Sequence, residues 1–294
     1  MRKSLLAASL LMAAGSVSAE DFYLDLGVNY DGLTAPAGNK VCDTCTSMKN
    51  LMLFEYESRT TIVDLNADGI ISAGDAVSTD GGLALGGKGI GALVDNQITG
   101  FVPNETLGSE SNNGLNSDYA LSFQIDDLTG VVTGVSPLGV PELAYGPGSM
   151  LELFITFDGT TFNNFMDILI DGAVATGVST AMTGRIDFTT VDAGYNDLFH
   201  SGDNTCAGSD SFFDIWTSCG EGSGESLTID FMASFDTNVF VSDFTSLGGT
   251  PEIFQVETSH TGSALVAIPE PNTLALMGGS LLMLAGVARR RRKQ

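Results

Sequence analysis

Along much of this chain apolar and polar residues alternate one by one. "YALSFQID" sets Leu121, Phe123 and Ile125 on one face, and "MLELFITFDG" does the same with Leu151, Leu153, Ile155 and Phe157. "SLTIDFMASF" repeats the pattern with Leu227, Ile229, Phe231 and Phe235. Successive side chains of a strand point to opposite faces, so alternation bounded by Gly, Asn and Asp predicts half-buried strands. "DFYLDLGV", "NLMLFEYES", "MDILIDGAV" and "RIDFTTVD" supply further candidates. Amphipathic helix patterning is scarce, and 36 glycines punctuate the runs. The expected fold is all-β, an antiparallel β-sandwich or jelly-roll-like domain over residues 20–262. Residues 78–117, rich in Gly, Asn and Ser, read as long loops with one short segment near Ile90–Val94. The proline-rich break "SPLGVPELAYGPG" leaves a division into two smaller β units open.

Both ends depart from this pattern. Arg2 and Lys3, the apolar run Leu5–Ala14 and the small residues Val17-Ser18-Ala19 form a secretory signal peptide over residues 1–19. At the other end, "IPEP" is followed by sixteen mostly apolar residues, Thr273–Ala288, and then by Arg289, Arg290, Arg291, Arg292 and Lys293. As a helix those sixteen residues reach about 24 Å. That falls slightly short of a bilayer core of about 30 Å, and snorkelling arginines extend it. The expected order is a stalk at 263–268, then a processing and membrane segment at 269–294 whose basic end stays cytoplasmic.

Removing the termini sharpens the charge. Of 12 Lys and Arg, seven lie in the end segments, whereas only Glu270 of the 36 Asp and Glu does. Residues 20–268 therefore hold five basic against thirty-five acidic side chains, a net charge of −30. Such a surface repels phosphate backbones, which excludes nucleic acid as a partner. It also repels acidic polysaccharide unless divalent cations intervene.

Four cysteines suit an exported chain. Two local disulfides, Cys42–Cys45 and Cys206–Cys219, are the simplest of the three possible connectivities. The C-D-T-C pair lies among Gly, Asn, Asp and Thr rather than at the start of a helix, which argues against a redox motif.

One internal stretch carries metal chemistry. "DLNADGIISAGD" places Asp64, Asn66 and Asp68 at loop positions one, three and five, with Gly69 at the sharp turn. The Ile70 carbonyl, Ser72 and Asp75 follow at seven, nine and twelve, the ligand order of an EF-hand with Asp as the last carboxylate. The pattern resembles one dockerin-type calcium loop; no second copy exists, so the paired-loop binding of dockerins is not expected. The expected cofactor is structural Ca²⁺.

No catalytic residues are assigned. The chain has two histidines. His260 falls close to the expected stalk, and His200 lies near Asp197, Ser201 and Asp203 without a triad being implied. No G-x-S-x-G, H-E-x-x-H, P-loop or dinucleotide fingerprint occurs. The single tryptophan, Trp216, lies among Phe212, Phe213 and Ile215, which favours packing over a sugar-stacking role.

The tail's tripartite form, Pro269-Glu270-Pro271, an apolar stretch with Gly278, Gly279 and Gly286, and Arg289–Arg292, closely resembles the PEP-CTERM sorting signal. The resemblance covers about 25 residues. It implies recognition by an exosortase of a Gram-negative bacterium, an inner-membrane intermediate, processing of the tail, and delivery to the cell surface or extracellular matrix. Such proteins are linked to exopolysaccharide, biofilm and floc formation. The resulting expectation is a non-catalytic structural or adhesive matrix component with possible polysaccharide contact. A calcium-dependent lectin-like module is the alternative, and a polysaccharide hydrolase is third.

Overall fold

The computed structural model describes residues 21–27, 45–86, 96–102, 114–176, 179–202, 205–206, 208–219, 230–236 and 239–268. Thirteen strands dominate them. In chain order these are β1 (Phe22–Leu24), β2 (Leu51–Val63), β3 (Ala76–Gly82), β4 (Gln97–Val102), β5 (Ala120–Val135), β6 (Pro141–Tyr145) and β7 (Met150–Thr156). There follow β8 (Asn163–Thr176), β9 (Ser179–Asp187), β10 (Phe199–Ser201), β11 (Asp230–Asp236), β12 (Thr245–Gly248) and β13 (Ile253–Ala267). Two short helices, Leu83–Gly86 and Phe212–Cys219, complete the regular structure of these residues.

The all-β expectation is met, but as a barrel rather than a sandwich. All ladders between named strands are antiparallel, and β13 pairs with β2 over twelve residues, from Ile253–Val63 to Ala264–Met52. That pairing closes the ring β2-β3-β5-β6-β8-β9-β11-β13. Two staves are interrupted. β6 and β7 share the slot between β5 and β8, broken at residues 146–149. β3 and β4 likewise pair with successive halves of β2. The ring is fully hydrogen-bonded at the upper level. At the lower level no ladder joins β4 to β5, and the Ser122 hydroxyl donates to the Asn96 carbonyl across the gap at 2.5 Å.

Alternation then fills the interior. Met52, Phe54 and Tyr56 of β2 face inward, as do Leu121, Phe123 and Ile125 of β5. Leu151 and Leu153, Met166, Ile168 and Ile170, and Phe231 and Phe235 join them. Phe54, Tyr56, Phe123 and Phe235 meet edge-to-face at 5.1–6.1 Å, the geometry that ring quadrupoles favour. At Gly262 of β13 a β-carbon would lie 2.2 Å from the Phe235 ring and 2.8 Å from the Ser234 carbonyl. Only glycine fits there. Outside the barrel's lower end, β1 pairs with β10, and Phe22 packs on Phe101 of β4 and on Phe199.

Several local expectations change. The stretch 263–268 is no stalk: residues 263–267 end β13 and pair with β11, and Ile268 is buried. Residues 78–117 are not all loop, since β3 and β4 occupy parts of them, while the segment Ile90–Val94 lies outside the described residues. "SPLGVPELAYGPG" is no boundary between units but the β5–β6 turn and a broken stave within one barrel. Phe157 lies beyond β7 and is exposed. Leu227 and Ile229 lie outside the described residues.

Candidate functional site

The upper rim is built from turns, and its longest described hairpin loop is the stretch Asp64–Asp75, between β2 and β3. Its end carboxylates are buried, Asp64 at 0 % and Asp75 at 1 % exposure. Ala67 N–H and Gly69 N–H donate to the two Asp64 oxygens at 2.8 and 2.7 Å. Leu65 N–H and Ser72 N–H donate to those of Asp75 at 3.1 and 2.7 Å. Asn66 accepts from Asp68 N–H, Asp68 accepts from Ile70 N–H, and the Asn66 amide donates to the Ser72 hydroxyl. Gly69 has φ +78°, the left-handed turn expected of it. Among the described residues no cationic side chain pairs with Asp64 or Asp75. Nor do three His, Cys, Asp or Glu side chains form a metal-binding group there. Asp64 and Asp75 are thus two buried carboxylates beside the Asn66 amide and the Ser72 hydroxyl, hard-oxygen groups of the kind that calcium takes. Leu65 and Ile70 of the same loop are exposed, as are Leu138, Phe240 and Leu247 on neighbouring rim segments.

Beneath the rim the lumen becomes polar. Tyr56, Ser58 and Thr60 of β2 face His260 of β13 and Thr79 of β3 around a cavity of about 60 Å³. His260 Nδ1 donates to the Asp236 carbonyl at 2.7 Å, which leaves Nε2 to accept from the Ser58 or Thr258 hydroxyl, each at 2.7 Å. Burial lowers the pKa of His260, opposed by the Asp236 carbonyl. A second chain of bonds runs Thr60–Thr79–Tyr145 at 3.0 and 2.8 Å, and burial pushes the Tyr145 phenol up to about 12. Sequence reasoning placed His260 beside a stalk and missed this site. The available signal was the alternation of "FQVETSHTGSALV", interrupted in its middle where Thr258, His260 and Gly262 replace an apolar stripe.

His200 serves the lower end. Its Nδ1 meets the Asp210 carboxylate at 3.1 Å, its Nε2 faces the Asp197 carbonyl at 3.2 Å, and its ring stacks on Tyr23 at 5.0 Å. Tyr23 donates to the other Asp210 oxygen at 2.6 Å. Partial burial works to raise the Asp210 pKa, but the bonds from Tyr23 and His200 hold it below the ordinary range. With both ring nitrogens engaged, His200 clasps β1 to β10. Asp203 lies outside the described residues, and Ser201 joins the clasp through its backbone N–H to the Asp210 carbonyl.

The expected Cys206–Cys219 disulfide is present and staples the C-terminal end of the helix Phe212–Cys219. Cys45 is also disulfide-bonded, and Cys42 lies outside the described residues. Trp216 packs against Phe188 at 5.8 Å and Phe213 at 6.4 Å, as a core-side residue does.

Strand β13 delivers the chain to its tail at the barrel's lower end, with Ala267 and Ile268 buried. Pro269, Glu270, Pro271, the apolar stretch Thr273–Ala288 and Arg289–Arg292 lie outside the described residues. Among the described residues no helix is long and apolar enough to cross a membrane. The family description PEP-CTERM protein-sorting motif matches residues 267–293. The chain therefore ends in a PEP-CTERM sorting motif, the mark of an exported protein sorted by an exosortase. No curated protein matches the chain, and no solved structure does.

Proposed function

We propose that the barrel is a non-catalytic structural and adhesive component of the extracellular polymer matrix, carried to the cell surface by its sorting motif and organised by calcium. The observation that supports this reading is the rim loop. Two fully buried carboxylates, Asp64 and Asp75, accept only uncharged donors. Buried charges are ordinarily paired or bind metals. A calcium ion held by Asp64, Asn66, Asp68, the Ile70 carbonyl, Ser72 and Asp75 would supply the missing positive charge. It would also order a rim bearing exposed Leu65, Ile70, Leu138, Phe240 and Leu247. That rim lies at the end of the barrel opposite Ala267, so it faces away from the tail. With five basic residues against thirty-five acids, contact with acidic polysaccharide would run through divalent cations.

The test uses the protein as cells export it. Sedimentation with extracellular polysaccharide from the same cells should occur in millimolar calcium and cease on EDTA. Asp64→Asn with Asp75→Asn should release it as EDTA does. Polymer cleavage by the wild-type protein would sink the non-catalytic reading, and calcium-independent sedimentation would sink the role of the loop.

A further inference from the structure

We propose that the upper lumen of the barrel binds a small uncharged organic molecule bearing a hydroxyl or carbonyl group at one end. The cavity of about 60 Å³ has two unlike walls. One is hydroxyl-rich: Ser58 on His260, and the Thr60–Thr79–Tyr145 chain. The other is apolar, formed by Ile125, Leu128, Leu143, Ala175, Met182 and Phe235. An eight-stranded barrel has an interior that either fills with side chains or holds one small ligand. This one does both, with packed rings below and a void above.

The lining specifies the ligand's chemistry. Among the described residues no Asp, Glu, Lys or Arg contributes to the wall. The one titratable base, His260, is held with Nδ1–H on a carbonyl and Nε2 as an acceptor, an arrangement that belongs to the neutral ring. A carboxylate or ammonium would lose its hydration without a counter-charge, which costs far more than hydroxyl bonds return. A neutral hydroxyl or carbonyl would find donors and acceptors in Ser58, Thr79 and Tyr145, and its hydrocarbon part would lie on the apolar wall.

Size narrows the class further. A water needs roughly 10–15 Å³ of such volume, so the cavity offers room for a few water-sized groups, less than a cavity of about 150 Å³ that takes benzene. A molecule of about four to six heavy atoms fits. Val239 and Phe244 also line the cavity. Their segment is tied to the β5–β6 turn by the Val241 N–H to Gly139 carbonyl bond at 2.8 Å.

The experiment is ligand-observed saturation-transfer NMR on the exported protein at pH 7.5, with butanol and butanone against butyrate and butylammonium. The neutral pair should give saturable transfer, and the charged pair should bind at least about tenfold more weakly, one decade being about 1.4 kcal/mol. Ala175→Leu, which fills the void, should abolish transfer. Ser58→Ala with Thr79→Val, which keeps the volume and removes two hydroxyls, should weaken it several-fold and serves if the filled variant does not fold. No transfer from either neutral compound, equal binding of butyrate, or transfer unaltered in these variants would overturn the proposal. The matrix reading rests on the rim loop and is untouched by each of these results.

Discussion

His260 keeps its Nδ1–H on the Asp236 carbonyl and turns Nε2 toward two hydroxyls. Protonation would place a charge on a buried ring, and burial depresses its pKa below 6.5. The unfolded ring then binds more protons than the folded one below that value, so this contribution to stability is present above pH 6.5 and is lost as pH falls toward the folded pKa. Lys49, wholly buried and bridged to Phe22 of β1, acts in the same direction at higher pH. Burial lowers it from 10.5 to about 7, so the unfolded chain binds the extra proton between those values and stability rises with pH across that window. Urea midpoints should climb with pH just below 6.5 and again from pH 7 to 9, with each group contributing at most about 1.4 kcal/mol per pH unit. His260→Gln should flatten the first rise and Lys49→Met the second. A midpoint that falls with pH in either window would contradict the assignment. Calcium gives a separate residue-scale prediction. It should raise the melting temperature of the exported protein by several degrees, a gain that Asp68→Ala abolishes. An EDTA-insensitive melt would count against the loop. The loop's backbone form was legible in the sequence because turn chemistry is local: Asp64, Asn66, Asp68 and Gly69 organise their own neighbours within five residues. His260 was not, because its partners Ser58 and Asp236 lie 202 and 24 residues away.

At the scale of elements, the helix Phe212–Cys219 depends on a staple. Asp214 in its first turn suits the helix dipole, but eight residues are too few for a helix to stand unaided. The Cys206–Cys219 bridge and the packing of Phe212 and Ile215 hold it in place. Cys206→Ser with Cys219→Ser should cost about 2–4 kcal/mol. The change should move the emission of Trp216, the chain's one tryptophan, to longer wavelength as its contacts with Phe188 and Phe213 loosen. Unchanged emission in the folded variant would show that aromatic packing alone fixes the helix. Strands were readable where their inward residues are large, as in β5 and β7. They were hidden where the interior narrows or turns polar. β13 presents Thr258, His260 and Gly262, and β3 presents Thr79 and Gly81, none of which makes an apolar stripe. Closure was hidden for another reason. Sandwich and barrel share one alternating pattern, and the β13–β2 ladder that separates them joins residues about two hundred positions apart.

For the whole molecule, the consequence of closure is an axis. β13 carries the chain from the rim, at Ile253, to the lower end, at Ala267, and the buried Ile268 leads directly into Pro269. No flexible stalk stands between the folded barrel and the sorting motif. Four residues, 269–272, separate Ile268 from the apolar stretch Thr273–Ala288, the segment expected from its sequence to enter the membrane. Fully extended they reach about 14 Å. Before processing, then, the lower end of the barrel would stand within that distance of the bilayer, leaving an enzyme little room to reach Pro269-Glu270-Pro271. Steric access should therefore limit processing. A ten-residue Gly-Ser insertion between Ile268 and Pro269 should shorten the half-time of tail removal several-fold in a pulse-chase experiment on cells carrying the exosortase. Changing Pro269, Glu270 and Pro271 to Ala in the same lengthened chain should leave the tail in place and so separate access from recognition. An unchanged half-time in the lengthened chain would mean that the enzyme works with the barrel seated at the membrane, or that the last residues of β13 unpair from Asp230 and Phe231 faster than cleavage occurs. Amide exchange at Val266 and Ala267 in the released protein decides between these two. Fast exchange there shows a β13 end that opens, and strong protection shows an enzyme that needs no opening.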